Sequence, residues 1–138
     1  MAQPQVQDTL DTNLIVHFLL KDNLLQYRKV KRLLNDPNTG IHRVPTLAIS
    51  EAVYVLEAHY NRERKTSVFL LQFFLKFFDD ILDYNRELFD LVFPYYLQHP
   101  GVSFNDCCMA FDTQLNTAEP LLTFDKTLAK QHPSAELL

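Results

Sequence analysis

Four carboxylates, Asp11, Glu51, Asp106 and Asp125, stand out for where they fall along the chain. Each lies at or just after a point where a short apolar run gives way to a helical pattern. Far apart in sequence, all four can converge on one end of a parallel sheet, close enough to share metal ions. Two unit charges about 4 Å apart repel by roughly 4 kcal/mol at an effective dielectric near 20. A gathered set of acids must therefore take up protons or bind cations. Hard divalent ions such as Mg²⁺ or Mn²⁺ prefer oxygen ligands. Such ions orient a phosphodiester, neutralise its developing charge and turn water into a nucleophile near neutral pH. Taken singly, Asp106 or Asp125 also reads as a helix cap. Glu51 lies within the apolar run Leu47 to Leu56, where a carboxylate without a partner is costly. Asp79, Asp80, Asp83 and Asp112 read as surface charges.

Other chemistries find less support. Only two glycines are present, too few for a glycine-rich phosphate loop. His17, His42, His59, His99 and His132 form no metal-spaced pair such as His-Glu-x-x-His. No Gly-x-Ser-x-Gly elbow and no Cys/His nucleophile motif occurs. A phosphatase using Asp11 as a covalent nucleophile stays open, although it would want a second Asp at the position of Asn13. Cys107 and Cys108 are adjacent in a predicted helix, where they neither pair readily nor make a zinc site, and read as reduced core residues.

The elements that must position the acids can be read from periodicity and breakers. Val6 to Leu10 reads as a first strand, with Thr12 capping a helix that carries Leu14, Ile15, Phe18 and Leu19. A second helix runs from about Leu24 to Leu34, and Asp36 to Gly40 is a turn. Ile41 to Val44 is a strand, and Pro45-Thr46 opens a helix to about Tyr60. Thr66 to Phe78 is a phenylalanine-rich helix, apolar nearly all round. It is either a central core helix or one with a face turned to another chain. Ile81 to Tyr84 is a candidate strand. Glu87 to Gln98 is a helix expected to be disturbed at Pro94, and in it Tyr95 and Tyr96 either pack or stack on bases. Ser103 caps a helix to about Leu115. Pro120 to Thr123 is a strand, Lys126 to Gln131 a helix and Ala135 to Leu138 a last edge strand. Strands alternating with helices imply a parallel sheet with helices on both faces. Ligands of such sheets bind beyond the carboxyl ends of the strands.

The 138 residues suit a single domain, with no repeat or linker to divide them. A 47 % hydrophobic content argues against a disordered chain. Met1 to Thr9 is too polar for a secretory leader, and Val68 to Phe78 too short to cross a bilayer. With the unpaired cysteines, these features place the chain in the cytoplasm. The net charge of −4 sits poorly with a nucleic-acid enzyme. Its distribution softens the objection. Residues 1–65 hold nine Lys/Arg against seven Asp/Glu, and residues 66–138 hold four against ten. Cations cluster at Arg28 to Arg32 and Arg62 to Lys65, as a local basic surface or as solvated helix faces.

Four stretches together carry a family resemblance. Leu10-Asp11-Thr12-Asn13-Leu14-Ile15 resembles the opening of PIN domains. Thr46-Leu47-Ala48-Ile49-Ser50-Glu51-Ala52-Val53 resembles that family's second motif. Ser103-Phe104-Asn105-Asp106-Cys107-Cys108-Met109-Ala110 is similar to the third, and Leu122-Thr123-Phe124-Asp125-Lys126 to the last. They occur in family order across residues 10–126. The resemblance, in particular to VapC-type toxins, implies a three-layer α/β/α sandwich with a central parallel sheet. It also implies a Mg²⁺- or Mn²⁺-dependent endoribonuclease that hydrolyses RNA. Asp11, Glu51 and Asp106 match the core metal ligands and Asp125 the more variable fourth acid, with Asn13 and Thr123 as supporting polar positions. It further implies a homodimer held in check by a cognate antitoxin. A non-catalytic PIN-like scaffold that binds RNA or protein is the alternative. Two features depart from the pattern: a first strand made polar by Gln5, Gln7 and Asp8, and acids flanking the Ile81 to Tyr84 strand.

Overall fold

The computed structural model describes residues 5–138. The first four residues of the polar stretch read against a secretory leader, Met1 to Pro4, lie outside the described residues. The chain divides into two compact units, one ending at Tyr84 and the other starting at Asn85. Both are α/β with parallel strands.

In the first unit, β1 (Val6–Thr9) leads into α1 (Thr12–Leu20) and α2 (Leu24–Leu34). Then come β2 (Ile41–Arg43), α3 (Thr46–Ala58), α4 (Arg64–Phe77) and, after a 3₁₀ turn at Asp79–Ile81, β3 (Leu82–Asp83). The sheet order is β1-β2-β3 and every pairing is parallel, as helical crossovers between successive strands require. Asp8 lies opposite His42, and His42 opposite Leu82. The strand expected over Ile81 to Tyr84 shortens to Leu82–Asp83 and takes an edge of this sheet, where the flanking acids Asp79 and Asp80 are exposed. Ile15 and Val16 of α1, Ile49, Val53 and Leu56 of α3, and Leu71 and Phe74 of α4 are buried.

The polar first strand has a local explanation. His42 on the middle strand is fully buried, and its Nδ1 is hydrogen-bonded to Asp8 Oδ1. Gln7 Oε1 accepts the Gly40 N–H at 2.7 Å. Asp8 and Gln7 thus satisfy neighbours that an apolar strand would leave orphaned. Gly40 is required there, since a β-carbon would stand 2.7 Å from the Gln5 carbonyl oxygen.

The phenylalanine-rich helix, α4, resolves into two faces. Val68, Leu71, Phe74 and Leu75 are buried. Phe69, Phe73 and Phe77 are 64, 58 and 65 % exposed. Their rings stack in series, with centroids 6.4 and 5.7 Å apart. The helix is thus neither wholly core nor wholly surface.

The second unit holds α5 (Arg86–Gln98), α6 (Phe104–Leu115), β4 (Leu121–Thr123), α7 (Lys126–Gln131) and β5 (Ala135–Leu137). The expected disturbance at Pro94 is not a break, because α5 runs through it. Phe93 and Tyr96, on either side of the proline, both pack on Phe104 of α6, at 5.6 and 5.0 Å between centroids. That packing offsets the lost backbone hydrogen bond. Tyr96 is buried, and Tyr95 stacks on His99 at 3.7 Å while its hydroxyl donates to the Gln131 carbonyl at 2.9 Å. Both tyrosines are packing residues. Strands β4 and β5 pair in parallel, Leu121 opposite Ala135, with α7 as the crossover. Beside them His132, only 2 % exposed, packs on Phe111 and Tyr95 and accepts the Ser134 N–H through Nδ1 at 3.1 Å.

Cys107 and Cys108 are buried and in no disulfide, as expected of core residues. Burial, with Cys107 and Asp112 nearby, pushes the Cys108 thiol up to about 12. Among the described residues no helix is long and apolar enough to cross a membrane.

Candidate functional site

The acidic cleft of the first unit forms at the carboxyl ends of β1 and β2, where their chains turn into α1 and α3. Asp11 follows β1 in extended conformation, and its carboxylate accepts the Asn13 N–H. Asp11 is therefore the cap of α1, in place of Thr12. The reason is reach: an Asp one residue before the helix satisfies a first-turn donor. Thr12 becomes the first helical residue, and its hydroxyl is free for a long-range bond.

That bond goes to Glu51. Thr12 Oγ1 donates to Glu51 Oε2 at 2.9 Å, with the Ala48 carbonyl at 3.4 Å. Glu51 itself is exposed. Its apolar sequence neighbours mislead, because on a helix Ala48, Ile49, Ala52 and Val53 turn inward while Glu51 faces outward. Burial is not what makes this glutamate special. Asp11, Thr12, Asn13, Leu47, Glu51 and Val55 line one open cleft of about 490 Å³.

In the second unit, Ser103 caps α6 by accepting the Asp106 N–H at 3.1 Å. Asp106 thus lies in the first helical turn and is not itself the cap, so its carboxylate is spared for other work. Asp125 does cap its helix, accepting the Leu128 N–H at 3.0 Å. Thr123 supports it: the Asp125 N–H donates to Thr123 Oγ1 at 3.0 Å. The cap and site readings of Asp125 are compatible, since a carboxylate has about four acceptor positions.

Asp11 and Glu51 share a cleft, and Asp106 and Asp125 each stand at the start of a helix. Among the described residues, no three His, Cys, Asp or Glu side chains form a ready metal-binding group. The pair in the cleft still suits Mg²⁺, which keeps several waters and commonly takes one or two carboxylates together with substrate phosphates. Its donors are hard oxygens, and the open cleft leaves room for a hydrated ion.

Sequence reasoning missed two partnerships. One is the Thr12 bond to Glu51, hidden because Thr12 also suits a cap. The other joins His17, Asp22 and Tyr60. His17 Nδ1 is 2.7 Å from Asp22 Oδ1, and the Tyr60 hydroxyl donates to Asp22 Oδ2 at 3.3 Å. No spacing signal marks it, since Tyr60 arrives from the bend that follows α3.

The family model described as PIN domain matches residues 9–131, a span that contains all four acids. The chain belongs to the PIN domain family. No curated protein matches it. Among solved structures it is similar to one described as VapBC2 from Rickettsia felis bound to a DNA fragment from their promoter. The identity is 18 % over 95 % of this chain and 96 % of that one, with a TM-score of 0.39.

Proposed function

We propose that this PIN-family protein is a Mg²⁺- or Mn²⁺-dependent endoribonuclease, the VapC-type toxin of a toxin–antitoxin pair, with Asp11, Glu51, Asp106 and Asp125 all serving one metal-dependent cleavage. The observation that carries the reading is the cleft beyond β1 and β2, where Asp11 and an oriented Glu51 face the same space. When bound, the metal would polarise the phosphodiester and lower the pKa of the attacking water. The chain's own groups do the positioning. Asp11 has one carboxylate oxygen engaged by the Asn13 N–H and keeps its remaining acceptor positions. Thr12 fixes the rotamer of Glu51 through Oε2. Asn13 lines the cleft beside both as a supporting polar group.

The partners follow the same reading: an RNA substrate, a cognate antitoxin and a second copy of the chain. Support for the second copy comes from α4, whose three stacked, exposed phenylalanines form an apolar patch of the kind that marks an interaction surface. The deciding experiment is cleavage of single-stranded RNA by the purified chain, free of antitoxin, with and without Mn²⁺. Cleavage that needs the metal and falls at least 100-fold in Glu51→Gln is expected. A folded protein without metal-dependent cleavage would leave the scaffold reading in its place.

A further inference from the structure

A second cleft, of about 380 Å³, opens beside the acidic one, and Asn13 lines both. Its other walls are Leu14 and His17 of α1 and Gln26, Lys29 and Val30 of α2. Two of these groups are prepared for a polar ligand. His17 is held by Asp22, whose carboxyl lies below its ordinary value chiefly because of that hydrogen bond. An ionised Asp22 can only accept, so the imidazole places its proton on Nδ1. With Nδ1 engaged by Asp22, Nε2 is the ring nitrogen left for a ligand, and in an imidazole protonated only on Nδ1 it is an acceptor. Lys29 is exposed, and Arg28, Lys31 and Arg32 accompany it on a helix that contains no acid. None of these four cations is in an ion pair among the described residues.

A cation and an oriented acceptor in one small cleft match a ligand carrying both an anion and a hydroxyl donor. The ribose phosphate of RNA is such a ligand. Its phosphate needs a positive partner, and its 2′-hydroxyl, absent from DNA, donates a hydrogen bond. We propose that this cleft is a subsite for the nucleotide flanking the scissile bond, with Lys29 on the phosphate and His17 Nε2 accepting from the 2′-hydroxyl, so that the protein selects RNA over DNA there. The inference rests on the ribonuclease reading. It adds a place on the protein where sugar identity is read, apart from the carboxylates. Asp22 and Tyr60 act as positioning residues, holding the ring without touching the RNA.

The test uses the full chain with Mg²⁺ and a single-stranded RNA, all-ribose or carrying one 2′-deoxy substitution at each position near the cut. The wild type should lose about fivefold in kcat/KM when one nucleotide flanking the cut is deoxy, a factor within reach of one hydrogen bond. His17→Phe should lose a similar factor on the all-ribose strand and become indifferent to that substitution. His17→Gln, which keeps an acceptor, should retain part of the discrimination. Lys29→Gln should reduce the slope of log(kcat/KM) against log salt by about 0.7, the signature of one lost phosphate contact on a single strand. Lys65→Gln removes the same charge from α4 and should leave the slope alone. Suppose the wild type cleaves and Asp11→Asn does not, yet both His17→Phe and Lys29→Gln behave as wild type. The subsite is then wrong and the ribonuclease reading survives. A wild type that cleaves no RNA overturns both.

Discussion

Thr12 and Glu51, 39 residues apart, are joined by a 2.9 Å hydrogen bond from hydroxyl to carboxylate. The bond ties the first turn of α1 to the middle of α3 and leaves Glu51 with one oxygen engaged and one open. Groups that orient a metal ligand commonly matter 10- to 100-fold for metal affinity or activity. Thr12→Val should therefore raise the Mn²⁺ concentration for half-maximal RNA cleavage by roughly tenfold, while Thr12→Ser stays near wild type. An unchanged metal titration in Thr12→Val would show that Glu51 needs no such support.

Asp11 caps α1, and its proposed place in the metal site would be a second, separable duty. As a cap it is replaceable by Asn, which accepts the same backbone N–H, whereas Ala gives up about 1 kcal/mol. In its proposed role as a metal ligand it would be replaceable by neither. Asp11→Asn should keep its thermal stability and lose RNA cleavage, and Asp11→Ala should lose both. Asp11→Asn with wild-type cleavage would restrict Asp11 to its structural duty.

Metal should stabilise the folded chain, because an unfolded chain does not gather its acids. An ion at about 100 times its dissociation constant adds roughly 2.7 kcal/mol. Millimolar Mn²⁺ should raise the melting temperature, and Asp106→Asn should remove most of the gain. Identical melting curves with and without Mn²⁺ would count against the carboxylates as a metal site.

His132 makes stability depend on pH. Burial, and next the neighbouring charge of His99, hold it below the usual histidine value. The unfolded chain therefore binds the proton more readily than the folded one, and stability drops as pH is lowered through the range where only the unfolded state is protonated. The loss should begin as pH drops through about 6.5, the ordinary histidine value, and level off below the folded one. Denaturant unfolding between pH 7.5 and 5 should show this slope, and His132→Phe should flatten it. An equally steep slope in that variant would assign the effect elsewhere.

The exposed rings of α4 predict self-association. Phe73 stands between Phe69 and Phe77 in the stack, so Phe73→Lys places a charge in the centre of the patch. Light scattering at micromolar concentration should give a dimer for the wild type and a monomer for the variant. A wild-type monomer would leave the patch to the antitoxin alone.

Much of the fold was legible in the sequence. The limits of α2 and α7 match the periodic pattern residue for residue, and the Ser103 cap of α6 is as read. The short parallel strands were placed by the turns and helices around them. What escaped was partnership between distant residues. The polarity of β1 looked like an anomaly until Asp8 met His42. Glu51 stood out for its apolar sequence neighbours, yet a helix turns 100° per residue and carries it to the exposed face, with Thr12 as its partner. The Asp22 bridge between His17 and Tyr60 needs two helices already in place. The four acids were recognisable through ordered motifs, and of these the acidic cleft holds Asp11 and Glu51.

The adjacent thiols of α6 carry a practical meaning. Burial pushes the Cys108 thiol up and keeps it protonated at neutral pH, and the thiolate is the reactive form. Alkylating reagents and mild oxidants therefore find little to attack until α6 opens. The pair is in effect an internal clock for the second unit: the rate at which a thiol reagent is consumed by native protein reports how often that helix comes loose.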